Sequence, residues 1–214
     1  MDYPWPDGVW LRALMLMDLE GSIAGQDGRS GSLSGPADRR VFSAIRSHAD
    51  AVIIGASTMR AERYRPMVPR PELVESRAAA GLQPAVQLVI VSVSLDLPWD
   101  EAVFAESTFR PIVATCEAAD PANVETAREH AEVLICPGES VDPAWLLAQL
   151  TARGLRRFIC EGGRHLLNAF ATAGLVDEWD LTLGPSAAGV GFDLVDTTDD
   201  EGFHFLRYVK KDNT

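Results

Sequence analysis

Short apolar runs rich in valine and isoleucine recur along this chain, separated by longer stretches in which apolar residues return at helical spacing. That order is what strands joined by crossover helices produce, so it predicts an α/β fold built around a mainly parallel sheet. The strands are expected at residues 10–17, 51–55, 86–93, 111–115, 132–136 and 156–161. Asp142-Pro143 places a capping carboxylate before a proline at a first helical turn, and Gly154 closes that helix, with Leu146, Leu147 and Leu150 turned to the sheet. Further helices are expected over 36–48, with Val41, Ile45 and Ala49 buried, and over 163–174.

After Gly174 the pattern changes to alternation of apolar and polar residues over 178–184 and 203–209, with no helix-length segment between. The two runs read as an antiparallel pair, with 185–191 as a loop leading into a short extra strand. The sheet is therefore expected to be mixed, with antiparallel strands at its C-terminal edge. Residues 60–84 carry Pro66, Pro69, Pro71 and Pro84 and no strand pattern. A short helix fits 72–80, but a solvated loop is the simpler reading.

At 214 residues the chain fits one domain, residues 1–214. A net charge of −12 repels polyanions, which argues against nucleic acid as a partner. No apolar run reaches membrane length and the start of the chain carries no basic, apolar signal segment, so a cytoplasmic protein is expected. The three cysteines, Cys116, Cys136 and Cys160, lack CxxC spacing and each ends an apolar run, which points to buried strand residues rather than disulfides or zinc.

Ligands of a parallel sheet bind beyond the carboxyl ends of its strands, and two glycine-bearing turns fall there: Gly55-Ala56-Ser57-Thr58 and Glu161-Gly162-Gly163. Glycine lets backbone approach a ligand, and amides at a helix start favour phosphate, although glycine also serves turns that bind nothing. No GxGxxG or GxxxxGK[ST] sequence occurs, so any dinucleotide is held in another way. Arg39, Arg40, Arg60, Arg63 and Arg65 gather positive charge in the N-terminal third and together resemble an anion site, with Arg39 in a first helical turn. The four histidines show no metal spacing, no metal is expected, and His165 is read as packed or exposed rather than as a ligand contact. No GxSxG elbow is present.

Four ordered blocks carry a resemblance: Asp18-Leu19-Glu20-Gly21-Ser22-Ile23-Ala24, then Arg46 through Ala49-Asp50-Ala51-Val52-Ile53-Ile54-Gly55 with Thr58, then Glu161-Gly162-Gly163, then Gly174-Leu175-Val176-Asp177-Glu178. Together they are similar to the riboflavin-biosynthesis reductase family, the C-terminal half of the bifunctional pyrimidine deaminase/reductase. The resemblance implies a three-layer α-β-α fold like that of dihydrofolate reductase. It also implies NADPH-dependent reduction of the ribosylamino side chain of 5-amino-6-(5-phosphoribosylamino)uracil, by hydride delivery to C1′.

Residue by residue, it implies a cofactor set of Gly55, Thr58, Glu161, Gly162 and Gly163. Ser92 and Ser94 fall near the adenosine 2′-phosphate, Ala13 and Ile23 beside the nicotinamide, and Leu166 on the channel. Ser34, Arg39, Glu62 and Arg65 resemble the substrate side. The chain departs from the family at Glu20, where aspartate is usual, and at Ser32, where tryptophan is usual. Glu20 keeps a carboxylate to polarise or protonate the substrate, and Ser32 leaves room for a differently shaped ring. The combined HxE and PCxxC signature of a fused deaminase is absent, so the reductase part alone is expected. The substrate is expected to be a phosphorylated pyrimidine or a pterin; a non-catalytic NADPH-binding paralogue is the alternative. The family is commonly dimeric, and the Leu175-Val176 step with the C-terminal strands suggests a homodimer.

Overall fold

In the computed structural model, residues 3–184, 192–201 and 203–210 are described. Seven of the apolar or alternating runs become strands of one sheet: β1 (Trp10–Met17), β2 (Ala51–Gly55), β3 (Gln87–Val91), β4 (Ile112–Cys116), β5 (Glu132–Cys136), β6 (Arg157–Cys160) and β7 (Glu178–Leu183), in the order β5-β4-β3-β2-β6-β1-β7. From β5 across to β1 every neighbouring pair is parallel. Backbone bonds from Asp177 N to Leu11 O (2.9 Å) and from Gly184 N to Met17 O (2.7 Å) line β7 along β1.

Successive side chains of a strand point to opposite faces, and here both faces are apolar. Val52 and Ile54 of β2, Leu88 and Ile90 of β3, Val113 of β4 and Ile159 of β6 enter one core cluster. That cluster is closed by α1 (Pro36–Arg46), α2 (Ala56–Glu62), α4 (Ala102–Glu106) and α5 (Pro121–His130), through Ile45, Met59, Phe104 and Val124. Ala51 and Ile53, Val89, Ala114, Phe158 and Cys160 enter the other, against Leu146, Leu147 and Leu150 of α6 (Pro143–Ala152) and Leu167 and Phe170 of α7 (Arg164–Thr172). Cys116, Cys136 and Cys160 are all buried strand residues, as their apolar contexts imply.

Helix ends follow the local chemistry. Asp142 caps α6 by accepting from Trp145 N at 2.7 Å, and Gly154 beyond its end takes a positive φ of 86°. Asp120-Pro121 repeats the device at α5, with Asp120 accepting from Ala122 N at 2.8 Å. Gly174 follows α7 at φ 67°.

Four expectations are corrected. Residues 203–209 do not pair with 178–184: β9 (Phe203–Lys210) pairs antiparallel with β8 (Phe192–Asp200) in a separate two-stranded sheet, while β7 joins the large sheet. The extra strand is therefore nine residues long rather than short. The 60–84 segment is not all loop: α2 runs to Glu62, and a 3-10 turn at Pro71–Leu73 leads into α3 (Val74–Ala79). The expected loop at 185–191 lies outside the described residues. Helix α1 stops at Arg46, two residues before the expected end.

Contacts divide the chain into two compact units. One comprises Met1–Met15 and Arg39–Asp180, the other Leu16–Asp38 and Leu181–Thr214.

Candidate functional site

The parallel register of β2 against β6 sets Ile53 opposite Cys160, so the chain leaves both strands at the same level and the two glycine turns meet. Gly55 N donates to Gly162 O at 2.9 Å. A Cβ on Gly55 would come within 3.5 Å of Gly163 N and 4.0 Å of Leu166 Cβ. Gly162 adopts φ 95°, a conformation that side-chain-bearing residues rarely take. A Cβ on Gly163 would approach Ser57 Oγ to 3.2 Å and Thr58 Oγ1 to 3.3 Å, so Gly162 is favoured by its backbone angle and Gly163 by a tight contact with two hydroxyls. Gly163 then starts α7 with no side chain capping it, which leaves the first-turn amides suited to an anion.

Glu161, just before this turn, is turned inward. Its side chain is 3% exposed and takes a two-pronged ion pair from Arg46, at the end of α1, and a 2.8 Å hydrogen bond from the Tyr64 hydroxyl. Burial works against the Arg46 charge, but the facing Glu161 carboxylate more than offsets it and raises the guanidinium pKa. Burial first, and then the same carboxylate, push the Tyr64 phenol well above its ordinary range. The Glu161 carboxylate is thus committed to holding α1, the Tyr64 segment and the glycine turn together. Burial likewise pushes the Cys160 thiol up to about 12, which keeps it neutral at the end of β6.

A cleft of about 710 Å³ opens over the carboxyl ends of the central strands. Gly55 at the end of β2 lines it with Ala56 and Ser57 of α2, as do Ser92 and Ser94 after β3, and Gly163, His165 and Leu166 at the start of α7. Ser92 is buried and its hydroxyl accepts from Leu95 N at 2.9 Å; Ser94 is exposed and its carbonyl accepts from Asn123 Nδ2 at 3.1 Å. The volume and the Cβ-free cradle fit an extended, phosphate-bearing cofactor rather than a single ion. Gly163 and the start of α7 would hold its phosphates, with Ser92 and Ser94 toward the other end.

Sequence reasoning missed the far wall of the cleft, which comes from Ala118, Ala119, Asp120, Asn123, Ser140 and Val141 after β4 and β5. One signal for it existed: Asp120-Pro121 marks a helix start in the same way as Asp142-Pro143. Arg60, named only within the arginine group, also lines the cleft. His165 is exposed, one of the two alternatives expected for it.

The remaining candidates fall elsewhere. Ala13 is fully buried in β1, opposite Cys160. Glu62 is half-buried, Arg39 and Arg65 are exposed, and none of the three lines this cleft. Glu20, Ile23, Ser32 and Ser34 belong to the second unit. There Asp18, itself buried, accepts from Glu20 N (3.0 Å) and Ser22 N (2.7 Å) and shapes the turn on which Glu20 is exposed. Ser32 donates to Asp27 Oδ1 at 2.8 Å, the main cause of a lowered Asp27 pKa, and Ser34 donates to Asp38 Oδ2 at 2.6 Å.

Comparison with known proteins accords with this geometry. The model of the RibD C-terminal domain family matches residues 9–211. A 2,5-diamino-6-ribosylamino-4(3H)-pyrimidinone 5′-phosphate reductase of Methanothermobacter thermautotrophicus is 33% identical over 186 residues, which is 87% of this chain and 82% of the relative. The reductase of the same name from Archaeoglobus fulgidus is 30% identical over 185 residues, 86% of this chain and 84% of that one. In fold, the chain is similar to a pyrimidine reductase-like protein of Corynebacterium diphtheriae, with TM-score 0.75, 22% identity, and coverage of 96% and 93% of the two chains.

Proposed function

Because the chain belongs to the RibD C-terminal domain family and is a reductase of the riboflavin-biosynthesis type, we propose that residues 1–214 act as one NADPH-dependent domain reducing a phosphoribosylamino-pyrimidine to its ribitylamino form. The reductase family implies a nicotinamide cofactor in general; NADPH is the specific form proposed. The observation that carries the reading is the meeting of the Gly55 and Gly162-Gly163 turns over parallel strand ends, beside an uncapped helix start.

When bound, the reduced nicotinamide supplies a hydride to C1′ of the opened sugar, and one proton completes the reduction. The chain's own residues bind and orient. Gly55, Thr58, Gly162, Gly163 and Leu166 seat the cofactor, Ser92 and Ser94 receive its adenosine phosphate, and Glu161 acts through its backbone, its carboxylate being held by Arg46 and Tyr64. Ala13 and Ile23 border the nicotinamide, and Ser32, Ser34, Arg39, Glu62 and Arg65 recognise the substrate's ring and phosphate. Glu20, exposed on the Asp18 turn, holds the proton.

Two pyrimidines are candidates: 5-amino-6-(5-phosphoribosylamino)uracil, and the 2,5-diamino-pyrimidinone for which the two archaeal relatives are named. They differ by an oxo or an amino group on the ring, a contrast that a single hydrogen-bonding residue can read. The test is NADPH oxidation by the purified protein with each pyrimidine and with dihydrofolate. Turnover of either pyrimidine supports the reading; turnover of dihydrofolate alone moves the protein to pterin reduction. Cofactor binding with no turnover leaves a non-catalytic paralogue. Glu20→Gln is expected to lower kcat about 10²–10⁴-fold with little change in NADPH affinity. Unchanged kcat would remove Glu20 from the chemistry. We further propose that the active form is a cytoplasmic homodimer. Among the described residues, no helix is long and apolar enough to cross a membrane.

A further inference from the structure

Arg60 stands out among the residues facing the cleft. Of the described residues that line it, Arg60 is the sole arginine or lysine and Asp120 the sole carboxylate. An Asp120 oxygen is engaged in capping α5. The guanidinium of Arg60 reaches from α2 to the turn after β3, where Nη1 donates to the Asp96 carbonyl at 2.6 Å and lies 3.5 Å from the Asp96 carboxylate. That turn begins with Ser92, whose hydroxyl accepts from Leu95 N, and both Ser92 and Ser94 line the same cleft. The arrangement is one cation beside two hydroxyl-bearing residues, in a chain whose net charge is −12.

The cleft therefore has two chemically different anion positions. At Gly163 and the start of α7 uncapped backbone amides are offered, with His165 beside them on the cleft wall, which suits a pyrophosphate that every nicotinamide dinucleotide carries. At Arg60 a full positive charge is offered, which a further phosphate group would use and a bare ribose hydroxyl would not. Resting on the nicotinamide-reductase reading above, we infer that Arg60 is the residue that selects the 2′-phosphorylated cofactor over the unphosphorylated one. Asp96 is the carboxylate that competes with the phosphate for the same guanidinium. Both side chains are solvent-accessible, at 43% for Arg60 and 78% for Asp96, so the pair opens without unfolding anything.

The test is direct binding, separate from turnover: titration of NADPH, NADH and 2′-AMP into the wild type, Arg60→Ala, Arg60→Gln and Asp96→Asn, followed by calorimetry. In Arg60→Ala the ratio of NADPH to NADH affinity is expected to fall roughly ten-fold or more, in line with loss of one charge-assisted contact. 2′-AMP binding should weaken in parallel. Arg60→Gln keeps a donor for the Asp96 carbonyl but no charge, and is expected to show the same loss if Arg60→Ala folds poorly. Asp96→Asn should raise the ratio several-fold. If the wild type binds both cofactors and the ratio stays constant in all variants, the assignment of Arg60 is overturned while the reductase reading stands. If the wild type binds neither cofactor, both are overturned.

Discussion

At the scale of single residues, the hydrogen bond between Tyr64 and Glu161 makes stability depend on pH in one direction. In the folded protein burial, and then the Glu161 carboxylate, keep the Tyr64 phenol neutral well above its ordinary value of 10.0. In the unfolded chain the phenol ionises near that value. Above it, the unfolded state loses a proton that the folded state retains, so the contribution is complete below the ordinary phenol value and declines as pH rises past it. Urea midpoints measured from about pH 8 to about pH 11 should fall more steeply for the wild type than for Tyr64→Phe. Parallel slopes would show that Tyr64 is not the group responsible. The phenylalanine variant should also be less stable at neutral pH by about 1 kcal/mol, the net value of one hydrogen bond.

At the scale of elements, α3 owes its place to Arg77. This residue is 2% exposed, and its guanidinium donates to the carbonyls of Ser47, Ala49, Gln83 and Ala85 at 2.8–3.3 Å. It thereby ties α3 to the chain between α1 and β2 and to the approach to β3. A proline-rich segment that reads as solvated loop is ordered by one buried cation serving backbone acceptors. Arg77→Met fills similar volume and leaves four carbonyls unpartnered, with an expected loss of about 3 kcal/mol or more, since each unsatisfied buried group costs about 1–3 kcal/mol. Thermal unfolding measures it. A Tm within about 2 °C of wild type would mean that solvent satisfies those carbonyls and that Arg77 is no fastening.

At the scale of the whole molecule, the β8–β9 hairpin presents apolar surface to solvent. Phe203 is 66% exposed, Phe205 56% and Val209 47%, and their alternate positions put them on one face of β9. The rings of Phe203 and Phe205 lie 6.3 Å apart. Contiguous exposed aromatic surface of this kind marks an association site, and a second copy of the chain is the occupant proposed above. Phe205→Asp is expected to shift sedimentation from dimer to monomer at micromolar protein while leaving NADPH binding in the Gly163 cleft intact. A wild type already monomeric under those conditions would sink the dimer.

Much of the fold was legible because its signals are local. Period-two and near-continuous apolar runs placed β1, β2 and β5 with their observed ends, and Asp142-Pro143 with Gly154 placed α6. The short helices α2, α4 and α5 were not foreseen, and β9 was assigned the wrong partner, because strand pairing depends on which edge is open in space and not on the residues of the strand alone. The two glycine turns could each be singled out from the chain, but a glycine before a helix reads the same whether or not it binds anything. Their joining into one cradle, the turning of Glu161 away onto Arg46 and Tyr64, and the arrival of Arg60 at the Ser92 turn all required the register of parallel strands that crossover connections bring side by side. Residue type and spacing thus specified elements and their ends. The side chains that share the cleft come from strands distant in sequence, and only packing of the sheet brings them together.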